Sequence, residues 1–226
     1  MAQVTRAGGD PKEAERISWL TKAKENPAFL ASYLALQIVL AGAVYVVLAE
    51  IASWLFVTSA TERVYQVWPA SGFALALLIR GGYKYVLSIA GAVFVWGVTG
   101  ADYGVPYAAM LASVYSISGA VGAFLLRRVF LNDYALENIR DVFLFLLAGP
   151  FMAGLISSLL GTLCLVWIGE VSSNTFQEVW ISWWFSVGSG ILLIAPLFLV
   201  WSSRTKINWS NRQAFEVAAW LVILTF

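Results

Sequence analysis

Six apolar stretches, four of them long, constrain this chain more than any other feature. A helix rises about 1.5 Å per residue, so a stretch such as residues 28–56 exceeds the roughly 30 Å hydrocarbon core of a bilayer. The chain is 60% hydrophobic and only 12% charged, which is too little charge to cover the surface of a soluble domain of 226 residues. The sequence therefore predicts an all-α, polytopic bundle of transmembrane helices.

The two shortest apolar stretches, residues 68–79 and 85–99, flank the basic turn Arg80-Gly-Gly-Tyr-Lys84. As helices they extend only roughly 18 and 22 Å, so they are either half-spanning re-entrant segments or short full crossings. A re-entrant turn would place Arg80 and Lys84 near mid-membrane, at a cost of about 2.5–3.5 kcal/mol each. Full crossings place both cations at an interface, where long side chains reach water. We therefore expect two short crossings.

The first apolar stretch follows a polar segment, which divides the chain into a lead-in helix, residues 1–26, and a membrane domain, residues 27–226. We expect six complete crossings and a seventh that begins at Ala214. The run from Ala214 to Phe226 is too short to cross, and a helix ending there would leave carbonyl groups unsatisfied in hydrocarbon. We therefore expect the protein to continue beyond Phe226.

The distribution of Lys and Arg predicts the orientation. With the N-terminus in the cytoplasm and six crossings, all but Arg63 of the 14 cations fall on the cytoplasmic side. Cytoplasmic loops carry such an excess of Lys and Arg. Within the spans, Pro150 and Pro196 are expected to bend the fifth and sixth helices, because proline removes a helical hydrogen bond and clashes with the preceding turn.

Two motifs resemble a known family. Residues Trp68-Pro69-Ala70-Ser71-Gly72 enter a short Ala/Leu helix that ends in a Gly-Gly basic turn, and residues 183–198 read WWFSVGSGILLIAPLF. In this order and spacing they resemble the membrane-associated sensor (MASE) domain of the first type, a multi-pass input module of bacterial signalling proteins. The resemblance runs from about residue 28. It departs at residues 186–189, where the family has an acidic or amide residue and this chain has Ser-Val-Gly-Ser.

The resemblance implies a sensory input domain in the bacterial cytoplasmic (inner) membrane. It also implies eight helices and a cytoplasmic output module that is covalently attached, such as a histidine kinase, a diguanylate cyclase or a phosphodiesterase. The expected partners are the lipid bilayer and an unknown small ligand or lipid, and a homodimer stays open. Nucleic acid is not expected, because the positive charges are placed for topology and form no patch with interleaved aromatics.

A ligand site is expected where proline and glycine weaken helix regularity within the two motifs. We predict a cavity that opens outward between the second and sixth spans. Two carboxylates near the outer face, Glu50 and Asp102, are further candidates, although a solvated interfacial role fits each of them as well. The predicted lining residues are Trp68, Pro69, Ser71, Gly72, Trp184, Ser189 and Gly190.

Several kinds of chemistry are excluded by composition. The chain contains no His and one Cys, Cys164, which excludes haem ligation by His, the usual zinc sites and disulfide bonds within the chain. No hydrolase, metalloprotease or nucleotide-binding motif is present. We therefore expect neither a catalytic site nor a metal or cofactor in this chain.

A small transporter, or a substrate-binding subunit of one, is the alternative function. It also fits several tilted helices with Gly-interrupted segments. Ion-coupled transport needs charged or chelating groups at mid-depth, and Gln37 is the one strongly polar candidate there. This scarcity favours the sensor, and a passive membrane anchor stays open as a third interpretation.

The cation count predicts which loops are accessible from outside the cell. In a Cys164→Ala background, Ser172→Cys is expected to react with a membrane-impermeant thiol reagent added to intact cells. Ala135→Cys is expected to stay unlabelled, because its loop faces the cytoplasm. The measurement is the labelled fraction of each variant on a gel, and the reverse pattern contradicts the orientation.

Overall fold

The computed structural model describes residues 26–55, 65–101, 104–129 and 138–201, which form helices joined by turns and contain no strand. A 3-10 turn, Tyr83–Tyr85, precedes the third helix, and a π-helical segment, Leu147–Ala153, joins the fifth to the sixth. The all-α prediction is confirmed. The helices are α1 Pro27–Leu55, α2 Pro69–Gly81, α3 Val86–Thr99, α4 Val105–Val129, α5 Ile139–Leu146, α6 Gly154–Trp167 and α7 Phe176–Trp201.

Four helical segments are long and apolar enough to cross a membrane: α1, α4, the continuous run Ile139–Trp167, and α7. Two further apolar helices, Pro69–Gly81 and Tyr83–Thr99, are shorter. The expected total of six complete crossings therefore stays a prediction. The lead-in helix before residue 26 and the stretch that begins at Ala214 lie outside the described residues.

Local sequence explains where the first helices begin and end. The side-chain oxygen of Asn26 accepts a hydrogen bond from the backbone N–H of Ala28 at 3.0 Å, so Asn26 caps α1. Pro69 begins α2, in the first turn, where its missing N–H costs nothing. Gly82 follows α2 with a φ of 91°, a conformation that glycine adopts without a steric penalty, and it turns the chain into α3.

The short helix α2 lies at the centre of the bundle. Ten of its 13 residues are buried. It packs most extensively against α7, and also against α4 and α1. A helix this short is tolerated at membrane depth because its neighbours, and not lipid, surround its ends.

The contact between α2 and α7 brings two backbones together. A Cβ added at Gly72 would overlap the carbonyl oxygen of Gly190, and a Cβ added at Gly190 would overlap the carbonyl oxygen of Trp68. Only glycine fits at either position. Small residues at such crossings allow dispersion contacts between helices that the surrounding lipid does not drive together.

Glycines on α6 instead receive aromatic rings from α7. A Cβ added at Gly161 would overlap the indole of Trp183, and a Cβ at Gly154 would come within 3.0 Å of the indole of Trp184. The small residues that the sequence places along this span therefore accommodate side chains of the neighbouring helix.

Pro150 lies inside the π-segment Leu147–Ala153, where the regular α-helical hydrogen-bond pattern is interrupted. The indole Nε1–H of Trp184 points at this segment, 3.3 Å from the carbonyl oxygen of Pro150 and 3.2 Å from that of Phe151. The second proline, Pro196, lies inside the continuous α7, and the bend expected there stays a prediction.

The α2–α7 contact predicts a difference between two Gly→Ala substitutions. Gly190→Ala is expected to lower the free energy of unfolding by about 1–3 kcal/mol, because its Cβ would overlap backbone atoms. Gly91→Ala is the control, since a Cβ there meets no atom within 4 Å. Denaturant titration in mixed micelles, followed by circular dichroism, measures both. Equal stability of the two variants would contradict the contact.

Candidate functional site

The N-terminus of α2 is tied to α7 by a compact set of hydrogen bonds. The backbone N–H of Trp68 donates to the carbonyl oxygen of Ser186 at 3.0 Å. The hydroxyl of Ser71 lies 2.7 Å from the carbonyl oxygen of Trp68 and 3.0 Å from that of Val187, so its proton is shared between two helices. The hydroxyl of Ser189 lies 3.3 Å from the carbonyl oxygen of Gln66. These bonds give the buried N–H of Trp68 and the buried hydroxyl of Ser71 their partners.

The side chain of Trp68 is only 3% exposed and starts a cluster of aromatic rings. Its indole Nε1–H donates to the hydroxyl of Tyr45 on α1 at 3.3 Å. The ring centroid of Trp68 lies 5.0 Å from that of Trp96 on α3 and 5.1 Å from that of Tyr65. The rings of Trp68 and Trp96 meet edge to face at 65°, an arrangement that aromatic pairs favour.

The cluster continues to α4 and α7. The Tyr115 ring lies 6.2 Å from Trp68 and 6.2 Å from Trp183. The indole Nε1–H of Trp183 donates to the Tyr115 hydroxyl at 3.2 Å. We call these residues the aromatic cluster, and through them α1, the entry to α2, α3, α4 and α7 meet in one place. Its members are Tyr45, Tyr65, Trp68, Trp96, Tyr115 and Trp183.

Most residues of the predicted ligand site come together at the α2–α7 contact. Trp68, Ser71 and Gly72 face Ser189 and Gly190 across it. Pro69 is buried in the first turn of α2 beside them. Because the two backbones touch at the glycines, protein fills the space at that point. The ligand-binding role of these residues stays a prediction.

Trp184 lies at a separate groove, towards the π-segment. The groove has a volume of about 270 Å³ and is almost entirely apolar. Ser189 borders both the groove and the α2–α7 contact. The predicted site residues thus fall into a packed contact around Trp68 and a lateral groove around Trp184. The residues that line the groove are Leu146, Pro150, Phe151, Trp184, Phe185, Gly188, Ser189 and Leu192.

Of the two predicted carboxylates, Glu50 and Asp102, only Glu50 lies within the residues that the structure describes. Glu50 is partly buried, and a Cβ added at Gly100 would overlap one of its carboxylate oxygens and come within 3.0 Å of the Trp96 indole. Glu50 therefore lies beside the aromatic cluster, at the end of α3. Asp102 lies outside the described residues.

Sequence reasoning missed the partners of Trp68 on α1 and α3. Tyr45 is 1% exposed and Trp96 is 3% exposed. A tyrosine hydroxyl in the middle of a transmembrane helix needs a hydrogen-bond partner, which is the signal that could have singled out Tyr45. Trp183 was identified only as part of the second motif.

A comparison with sequence models of protein families shows which family the chain belongs to. The sequence model of the MASE1 family matches residues 37–226, which include α2 to α7 and most of α1. The chain belongs to the MASE1 family. No curated protein and no solved structure matches it significantly. The resemblance drawn from the two motifs is confirmed, and as a MASE1 domain the chain is a membrane sensory domain of the kind found in signalling proteins.

The contribution of the aromatic cluster to this MASE1 domain can be tested at the hydrogen bond between Trp68 and Tyr45. Trp68→Phe and Tyr45→Phe are each expected to destabilise the fold, because each leaves a buried polar group unpaired. Their effects are expected to be coupled by about 0.6 kcal/mol and at most about 1.7 kcal/mol, as for hydrogen bonds between membrane helices.

A double-mutant cycle on unfolding free energies measures that coupling. Tyr33→Phe is the matched control, because the Tyr33 ring is 54% exposed and stacks on Phe29 without needing its hydroxyl. Additive effects of the two cluster variants would show that the hydrogen bond contributes nothing.

Proposed function

We propose that this MASE1 chain is the sensory input domain of a bacterial signalling protein in the cytoplasmic membrane. In this proposal a stimulus changes the packing around Trp68, and α2 and α7 transmit the change to a cytoplasmic output module. That module is a histidine kinase, a diguanylate cyclase or a phosphodiesterase. The observation that carries the proposal is that α2 is joined to α7 at both of its ends.

At the first end, the link is the set of bonds from Trp68 and Ser71 to α7. At the second end, a terminal N–H of Arg80 donates to the carbonyl oxygen of Leu199 at 2.8 Å. Between the two ends, the rings of Phe73 and Phe198 meet edge to face at 5.2 Å. A displacement of α2 therefore carries the C-terminal part of α7 with it.

The aromatic cluster is suited to receive a stimulus. It joins five parts of the bundle through few contacts, so a small change in one ring alters the packing of several helices. Packed interfaces tend to switch between discrete arrangements and do not deform continuously. A ligand shifts such an equilibrium only by its difference in affinity for the two arrangements.

The expected orientation with a cytoplasmic N-terminus is part of the proposal. The contacts of Arg80 and Arg127 with carbonyl oxygens of Leu199 and Ile79 bring the ends of α2, α4 and α7 to one face of the bundle. Arg204, Lys206 and Arg212 follow α7 in the sequence. A concentration of cations at this face supports assigning it to the cytoplasm.

The transporter alternative receives less support. Its candidate for ion coupling, Gln37, accepts a hydrogen bond from the Tyr85 hydroxyl at 3.4 Å. Through this hydrogen bond, the amide oxygen of Gln37 joins α1 to the start of α3. Among the described residues, no group of three or more His, Cys, Asp or Glu side chains is placed to hold a metal ion.

The proposal is tested with Ser71→Ala in the full-length protein. The substitution removes the hydroxyl shared between α2 and α7 and keeps the helix backbone, so the bundle is expected to stay folded. The basal activity of the attached output enzyme is expected to change by at least about two-fold, which corresponds to roughly 0.4 kcal/mol between two signalling states.

Ser113→Ala is the matched control, because the exposed Ser113 hydroxyl bonds only to its own helix, at the carbonyl oxygen of Ala109. It is expected to leave the output unchanged. The same output from both variants, with both folded, would contradict transmission through α2 and α7. Solute uptake by the purified protein in liposomes would support the transporter instead.

A further inference from the structure

Positive charge collects at one end of the bundle. All five Arg and Lys residues in the described part of the chain lie there, at the end of α2, in the following turn, at the end of α4 and at the start of α5. Of the four described carboxylates, only Asp141 shares this end, where it accepts a hydrogen bond from the Asn138 amide at 3.3 Å. The five cations are Arg80, Lys84, Arg127, Arg128 and Arg140.

Arg127 is held in a defined position at this end. Its Nε–H donates to the carbonyl oxygen of Ile79 at 3.1 Å, in the last turn of α2. Its guanidinium group lies over the Tyr83 ring, 5.4 Å from the centroid. These contacts use one N–H and one face of the group. Its terminal N–H groups make no hydrogen bond or ion pair with the rest of the described chain, so they are available to an anion.

The turn beside Arg127 adds to the positive potential. Gly82 reverses the chain there, and an NH2 nitrogen of Arg127 lies 3.9 Å from the position that a Cβ at Gly82 would occupy. The exposed Lys84 ammonium lies 5.1 Å from the centroid of the Tyr85 ring. The helix that starts at Tyr83 also directs its first N–H groups, which have no helical acceptor, towards this end.

An apolar surface adjoins the charged groups. Leu87 follows Tyr83 by about one helical turn, on the same face of the helix, and is 74% exposed. Tyr83 itself is 44% exposed. A molecule bound here meets cations and an aromatic ring at one level and exposed hydrocarbon one turn deeper. A soluble phosphate would use the first part of this surface only, whereas a phospholipid uses both.

We propose that the face formed by Arg127, the Gly82 turn and Lys84 binds the phosphate of an anionic phospholipid. The terminal N–H groups of Arg127 and the Lys84 ammonium contact the phosphate oxygens, and an acyl chain lies along Leu87. Arginine suits this role because its planar group binds phosphate through two N–H groups at once. In the proposed orientation this end of the bundle faces the cytoplasm. Basic surfaces between transmembrane helices at that side bind such headgroups.

The experiment measures phosphatidylglycerol bound to the purified chain by native mass spectrometry, with phosphatidylcholine as the neutral reference. Arg127→Gln and Lys84→Gln are each expected to weaken phosphatidylglycerol binding about five-fold, because each removes a direct charged contact with the phosphate. Arg128→Gln is the matched control. Arg128 lies over the Phe124 ring, 5.0 Å from its centroid, and has no described contact with the turn.

A much smaller loss in Arg128→Gln supports the site, as does retained binding in Arg127→Lys. Equal losses in all three Gln variants would mean that only general surface charge attracts the lipid, and unchanged binding in Arg127→Gln and Lys84→Gln would overturn the proposal. Competition by glycerol phosphate as strong as by the lipid would assign the site to a soluble phosphate. If Arg127→Gln fails to fold, Lys84→Gln, which disturbs no carbonyl contact, decides the question.

Discussion

The close approach of two backbones at Gly72 and Gly190 is the constraint on which the rest of the structure depends. A methyl group at either position would overlap main-chain atoms of the other helix. In a bilayer, lipid tails are as apolar as leucine, so helices associate through packing and hydrogen bonds and not through exclusion of water. With both glycines in place, the Ser71 hydroxyl reaches the Val187 carbonyl and the Trp68 N–H reaches Ser186. The enclosed position of α2 follows from that contact.

Around this contact, tyrosine and tryptophan side chains hold the helices by pairing their polar groups with one another. The indole of Trp68 donates to Tyr45 and the indole of Trp183 donates to Tyr115. Each pair joins helices that are distant in sequence and satisfies groups that could not be left unpaired in an apolar interior. At the opposite end, Arg80 and Arg127 make the equivalent links through backbone carbonyl oxygens. The bundle is therefore fastened at two levels, with α2 spanning the distance between them.

Much of this arrangement could be predicted from the sequence, because apolar length, proline and glycine act locally. The predicted start of the membrane domain at residue 27 coincides with the start of α1, and the two motifs indicated that Gly72 and Gly190 belong to one site. The side of each helix that faces the interior could not be predicted in the same way. Lipid and protein interior are both apolar, so hydropathy does not distinguish an inward Tyr45 from an outward Tyr33. For the same reason, nothing in the sequence indicated that Trp183 would join the cluster while its neighbour Trp184 turned to the π-segment.

The π-segment determines the rotational phase of α6, the helix that continues from it. A π-turn contains one residue more than an α-turn, and one residue corresponds to about 100° of rotation around a helix axis. With a segment one residue shorter, α6 would emerge rotated by that angle, and Gly154 and Gly161 would no longer face the indoles of Trp184 and Trp183. The Trp184 indole that donates to the carbonyl oxygens of Pro150 and Phe151 belongs to α7, the helix that Gly154 and Gly161 face. A change of length between residues 147 and 153 is therefore far less tolerable than the exchange of one apolar residue for another, although neither would alter the apolar character of this span.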